Sequence, residues 1–197
     1  PTLLDLKFFE HNFGGVMPFE ISVDTKKRNG ILVYSNLQKI NQLQNVINEH
    51  PEFSKPLSLI EVFKFARQSY FNGDSSKYSL PSSMEKNFIF GYIPQNVEGS
   101  GNSLLKSFVD STKQITRISY QMADVGTNHM DSLMASILPQ VDSIFDREKF
   151  DVKVTGNSVV YAKGTKFLIR NVYESVIIAI IFISILILLS GGLFAAF

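Results

Sequence analysis

Cysteine is missing from this chain altogether, so neither a disulfide nor a cysteine-bearing metal site can form, although the absence says nothing about compartment. No sign of charge dominates either. The 19 Lys and Arg stand against 18 Asp and Glu, which removes the electrostatic footprint of a nucleic-acid binder. The one tight basic cluster, Lys26-Lys27-Arg28, reads as a solvated turn rather than a phosphate site. The local signatures of catalysis are missing too. There is no GxSxG elbow, no phosphate-binding lysine loop and no dinucleotide glycine pattern, and Gly99-Ser100-Gly101 reads as a flexible loop. His11, His50 and His129 show neither HxxxH nor HExxH spacing. We therefore assign no catalytic, cofactor-binding or metal-ligating residue and expect no enzyme activity. No basic-then-apolar leader precedes the first domain, residue 1 is Pro, and the chain stops at Phe197 without a polar flank. These ends lead to the expectation of a piece cut from a longer protein.

What the sequence has in quantity is apolar length at its end. Val176–Phe197 (VIIAIIFISILILLSGGLFAAF) holds 22 residues without a charge. A helix of that length rises roughly 33 Å, enough to cross a hydrocarbon core of about 30 Å. A buried core helix needs a polar face, and 197 residues hardly build a core able to surround one without it. The run is read as a transmembrane helix contacting the lipid bilayer. All Lys and Arg precede Asn171, and the last acid is Glu174, so everything before the run reads as a water-soluble domain.

Within that domain, periodicity marks the elements. After the break at Gly14-Gly15, Phe19, Ile21 and Val23 alternate with Glu20, Ser22 and Asp24 as a half-buried strand. Pro18 suits a strand start or an edge better than a centre. Thr25–Gly30 turns the chain. From Leu32 to Glu49, Val33, Leu37, Ile40, Leu43 and Ile47 form one helical face with Asn, Gln and Lys opposite. Pro51 stops that helix, and Ser54-Lys55-Pro56 is a second break. Ser58 followed by Glu61 reads as a capping box opening a helix with the face Leu59, Val62, Phe63, Ala66 and Tyr70. Asn72–Ser83 is loop, Met84–Tyr92 a short helix, Gln95–Ser103 loop, and Leu104–Thr112 a weak helix. Ile118, Tyr120 and Met122 point inward from a strand over Ile115–Ala123. Thr127 or Asn128 caps a helix with the face Met130, Leu133, Met134, Ile137, Val141 and Ile144, which Pro139 is expected to kink or divide. Phe150, Val152 and Val154 then alternate with Asp151, Lys153 and Thr155 as a last strand ended by Gly156, and Asn157 or Ser158 caps the final helix.

The expected fold is α+β, with a ferredoxin-like split βαβ domain carrying inserted helices and one long transmembrane helix after it. It needs one further strand, hidden in 84–112 or supplied by a longer chain. The boundaries are 1–156 for the domain, 157–175 for a juxtamembrane helix and 176–197 for the span.

Two runs, FGGVMPFEISVDT (Phe13–Thr25) and KVTGNSVVYAKGTKFLIRNVYESVIIAIIFISILILL (Lys153–Leu189), together resemble MMPL-type transporters. These form an exporter branch of the resistance–nodulation–division (RND) superfamily. PLSLIEVFKFARQ (Pro56–Gln68) adds to the likeness. The resemblance covers nearly the whole chain. It implies one porter loop of a proton-driven exporter of lipids or other hydrophobic compounds, with the transmembrane helix that follows the loop. It implies a bacterial inner membrane with the domain on the periplasmic, extracytoplasmic side. Partners would be the rest of the same transporter, a lipid or hydrophobic small-molecule substrate and, as an open alternative, further copies as a homo-oligomer. No cofactor is implied. Gly14, Gly15, Pro18 and Glu20, with Thr155 and Gly156, match the family's strand motifs, and their implied role is geometric: a turn, then an edge strand at the porter interface. The family's proton relay lies in other helices, and no residue here matches it.

Competing accounts stand beside these. Glu174, two residues before the apolar run, is either a membrane acid or an interfacial anchor beside Arg170 and Tyr173, and the second account is favoured. Glu20 either meets a basic group on another subdomain or faces solvent. Of the 17 phenylalanines, only Phe182, Phe194 and Phe197 lie in the apolar run; the others line a greasy path or, more commonly, fill the core. Ser190-Gly191-Gly192 allows a bend or close helix packing. Lys163, Lys166 and Arg170 crowd the domain side of the helix, which the positive-inside rule would place in the cytoplasm, against the resemblance. A ligand-binding or sensory domain on a single anchor is the alternative function, and a membrane-tethered enzyme with a convergent polar pocket is the third.

Overall fold

The computed structural model describes residues 14–92 and 106–194, together with residues 8 and 12. The loop expected over Gln95–Ser103, most of the lead-in over residues 1–13, and the phenylalanine Phe197 lie outside the described residues. The chain divides into two compact units, Pro1–Val159 and Val160–Phe197.

The first unit is mixed α+β around a three-stranded antiparallel sheet in the order β2-β1-β3. In chain order its elements are β1 (Met17–Asp24), α1 (Tyr34–Asn48), α2 (Leu59–Tyr70), α3 (Ser83–Tyr92), β2 (Ile115–Met122), α4 (Gly126–Ile144) and β3 (Asp151–Thr155). The alternation in β1 does what a period of two requires: Phe19, Ile21 and Val23 are each 0% exposed, while Glu20, Ser22 and Asp24 are half-buried on the opposite face.

β1 is the central strand, which corrects the expectation of an edge. Its Pro18 is tolerated there because the pairing with β3 stops at Glu20↔Thr155, so no ladder acceptor waits beside the missing N–H. The Pro18 carbonyl instead takes a hydrogen bond from the Ser158 hydroxyl at 2.9 Å.

β2 and β3 both run antiparallel to β1, so they are parallel to each other, one on each side of it, and α4 joins them. Along the outer edge of β2 lies a strand-like ribbon, residues 53–57, with bridges Phe53↔Met122 and Leu57↔Ser119. The Leu57 amide donates to the Ser119 carbonyl at 2.7 Å and the Ser119 amide returns a bond at 2.9 Å. The extra sheet segment is therefore not in the described part of 84–112, where α3 is helical. It occupies the stretch Ser54-Lys55-Pro56, which periodicity alone reads as a break. Of the weak helix expected over Leu104–Thr112, one helical turn at 106–108 is described before Val109 bridges Thr116.

The helices pack mostly as their stripes direct; on α2, however, Ile60 is buried and Tyr70, expected on the buried face, is 45% exposed, and α1 and α4 depart in other ways. α1 begins at Tyr34 after a 3-10 turn, Gly30–Leu32, so Val33 is its N-cap and is 50% exposed instead of joining the buried face. Gln44, expected outside, is wholly buried with Leu43 and Ile47. α4 is not divided at Pro139. Its buried residues Met130, Leu133, Ile137, Val141 and Ile144 continue on both sides of the proline, and that burial offsets a cost of about 3 kcal/mol. α4 also lacks the expected Thr127 or Asn128 cap; it starts at Gly126, whose φ is +70° and whose amide bonds the Asp124 carboxylate at 3.3 Å. α1 and α4 pack against each other, and the core between helices and sheet holds a ring cluster. Phe19 lies 4.7 Å from Phe53 and 6.3 Å from Tyr120, and Phe53 lies 5.7 Å from Tyr120.

The final helix, α5 (Asn157–Phe194), follows β3 with only Gly156 between them, and it is one element across the expected boundary at 175 and 176. Its span Asn157–Leu188 is long and apolar enough to cross a membrane, and none of its apolar window is buried.

Candidate functional site

The six motif residues come together where β1 begins and β3 ends. Gly15 has φ +128°, and a Cβ there would sit 2.3 Å from the Met122 carbonyl oxygen of β2. Gly156 has φ +110°, and a Cβ there would lie 2.5 Å from the Pro18 carbonyl oxygen. Both positions need glycine twice over, for backbone angle and for space. Gly14 lies against Ser54, at 3.1 Å from its Cβ to an added methyl, so it borders the 53–57 ribbon. Thr155 pairs with Glu20 across the sheet and is exposed. Glu20 itself meets Arg117 of β2 at 3.5 Å, so its basic partner belongs to the same sheet. These residues close a tight strand crossing, and the one carboxylate among them, Glu20, is paired with Arg117.

The open face of the sheet is polar. Beyond the Glu20–Arg117 pair, Lys153 meets Asp151 at 2.7 Å, and the Gln114 side-chain amide donates to Asp24 at 2.9 Å. Lys26 of the basic cluster is used structurally: its ammonium donates to the carbonyls of Arg147 and Glu148 at 2.9 and 3.1 Å, holding the turn after α4. That agrees with a turn.

The densest polar cluster was not singled out by spacing. Ser58 caps α2 as its capping box requires, accepting from the Glu61 amide at 3.3 Å. The Glu61 carboxylate, however, takes Lys64 at 2.8 Å, the Tyr78 hydroxyl at 2.5 Å and buried Gln44 at 3.5 Å. Partial desolvation, with this carboxylate beside it, pushes the Tyr78 phenol up to about 12. Burial likewise raises Tyr120, whose hydroxyl finds no hydrogen-bond partner among the described residues. Only the Ser58-x-x-Glu61 spacing announces this cluster in sequence; Gln44 and Tyr78 reach it from elements 14 or more residues away. Glu61 is occupied by internal partners, so the cluster reads as a staple between α1, α2 and the following loop.

His129, near the start of α4, holds Glu52 at 2.8 Å, and this hydrogen bond is the main cause of a Glu52 carboxyl below its ordinary range. His50 stacks edge-on toward Phe53 at 6.4 Å. Among the described residues no group of three His, Asp or Glu side chains converges on a metal-sized position.

A groove of about 450 Å³ lies between the C-terminal half of α4 and β3. Leu138, Val141, Phe145, Val152 and Val154 supply its apolar walls, with Asp142, Arg147 and Asp151 at the rim.

On α5, Glu174 pairs with Arg170 one turn earlier at 2.8 Å, both side chains exposed. The pair lies ahead of the apolar run. From Val176 to Leu188 every residue is exposed. The backbone at Ser190-Gly191-Gly192 is helical.

Compared with known proteins, the chain matches no family, no curated protein and no solved structure.

Proposed function

We propose that this chain is one porter lobe, with its following transmembrane helix, of a proton-driven RND-type exporter of lipids or other hydrophobic compounds. The observation that carries the proposal is the junction at Gly156. One glycine separates a sheet strand from a helix whose apolar stretch is bare on all sides, and Ser158 in that helix's first turn is bonded to β1. A strand joined to a span without a linker passes displacement from one to the other, which a porter needs and a tethered domain does not.

The lobe's fold supports the same reading. The 53–57 ribbon, β2, β1 and β3 lie in that order, with α1 and α4 as connecting helices, an order compatible with the ferredoxin-like plan that the resemblance implies. We propose that plan as the fold, with α2 and α3 as insertions, and the extracytoplasmic side of a bacterial inner membrane as its place. Exposed apolar side chains on the inserted helices, Phe65, Met84 and Phe88, suit a lobe that handles greasy cargo.

The groove beside β3 is what favours the second reading, a ligand-binding domain on one anchor. The natural gene separates the two: many further apolar spans around this segment support the exporter, and at most one more sinks it. Within an exporter, Gly164→Pro inside α5 should abolish export while the lobe stays folded; retained export would remove the mechanical role of the helix.

A further inference from the structure

The outer edge of β3 is a second feature that the exporter reading does not use. On β2, Ser119 and Gln121 turn their backbone groups outward to the 53–57 ribbon, so the even-numbered residues of β2 bond to β1. By the same alternation the even-numbered residues of β1 face β3, as the Ser158 bond to the Pro18 carbonyl also requires. Asp151, Lys153 and Thr155 therefore complete the ladder with β1. The N–H and C=O groups of Val152 and Val154 point away from the sheet, with no strand beyond them among the described residues. Their side chains line the apolar groove under α4, beside Leu138, which is 45% exposed. An open edge and an open apolar groove thus coincide on one strand.

Natural proteins protect such edges with short strands and outward lysines, and β3 has five residues and Lys153. Here the lysine is neutralised by its neighbour, since its ammonium sits 2.7 Å from Asp151 with both side chains well exposed, 72% and 43%. That pair makes the edge complementary to itself. Antiparallel pairing of two copies about Val152 sets Val152 against the partner's Val152, both with outward-facing backbone groups. It sets Asp151 against the partner's Lys153 and Lys153 against the partner's Asp151. Shifting the centre to Lys153 would oppose two lysines and lose both ion pairs, so charge selects the first register. An exposed intrachain pair contributes little, so trading it for two interchain pairs costs little.

We propose that the β3 edge is an interface between two copies of this chain, joined antiparallel about Val152 into one continuous sheet. The two-fold axis stands perpendicular to that sheet, so both copies keep α4 on the same face. The apolar flanks around Leu138, Val141 and Phe145 then roof the joint, an isologous contact in which each groove is covered by its counterpart.

The test uses the full chain in detergent micelles, followed by sedimentation velocity. The wild-type chain should be dimeric, and Asp151→Lys or Lys153→Asp should each weaken association about tenfold or more by setting like charges opposite one another. The double reversal D151K/K153D should restore the dimer. Because the chain has no cysteine, oxidising a mixture of D151C and K153C chains gives an independent readout. The two sulfurs fall opposite in a pair with Cα atoms about 4.5 Å apart and should crosslink, while either variant alone should not. A wild-type chain that stays monomeric at tens of micromolar overturns the interface. So does a dimer indifferent to the charge reversals, or one that the double reversal fails to restore, because association would then run through another surface such as α5.

Discussion

β1 and the apolar stretch of α5 are built from the same kinds of residue and have opposite surroundings. Phe19, Ile21 and Val23 are wholly covered by protein, while Ile178, Phe182 and Leu188 are 67, 63 and 75% exposed. In β1 the polar partners alternate, so one face can turn inward and the other can meet water. In α5 the apolar residues run right round the helix, and no single protein face could cover them. The difference teaches that hydrophobicity alone does not announce a core; its angular distribution separates a stripe that one protein face can cover from a run long and apolar enough to cross a membrane.

The comparison breaks most sharply at the ring cluster. Phe19→Ala removes the side chain shared by Phe53 and Tyr120, and should cost about 3–5 kcal/mol of lobe stability, read by denaturant unfolding with α5 still in micelles. An unchanged midpoint would mean that the lobe is not organised around β1. Next in size is Leu186→Arg, which puts a charge mid-run and should oppose membrane insertion by about 2.5–3.5 kcal/mol. Membrane fractionation should show the loss while lobe unfolding stays as in wild type; a lobe that unfolds with it would place the run inside a core.

Gly156→Ala sharpens the junction between the two regions. The added methyl meets the Pro18 carbonyl at a φ unfavourable to alanine, and about 1–3 kcal/mol should be lost from the lobe. Thermal melts should show that loss, and Thr155→Ala, one residue away and exposed, should be nearly silent in them.

The smallest expected effect concerns pH. The folded Glu52 carboxyl lies below its ordinary value of 4.5, so its bond to His129 adds stability above that value. The contribution is lost as pH falls through the lowered folded value. Wild type should therefore melt slightly above Glu52→Gln at neutral pH, and the gap should close in acid below about 4.5. A gap that persists in strong acid would show that Glu52 acts through shape instead of charge.

Much of the architecture is legible in the sequence. The alternation in 19–23 and 118–122, the stripe through Leu37, Ile40, Leu43 and Ile47, and the Ser58 cap all lie where spacing puts them. These are short-range signals, written within two or three turns of chain. The misplaced features share the opposite property. Ser54-Lys55-Pro56 has the composition of a break, yet it lies against β2, more than 60 residues on. Gln44 looked solvent-facing because its partners, Ser58 and Glu61, belong to the next helix. Pro139 is a breaker by local propensity, while the burial on both sides of it is a property of the whole helix–sheet layer.

The sequence by itself determined the three named strands and the main helices, that an apolar run long enough to cross a membrane follows them, and that Gly15 and Gly156 punctuate strands. Only the tertiary structure decided that β1 is central, that residues 53–57 extend the sheet, that Glu20 finds Arg117, and that β3 keeps an open edge. Periodicity reports the direction in which a side chain points. What it points at depends on hydrogen bonds and contacts closed between segments distant in the chain, and those exist only once the chain has folded.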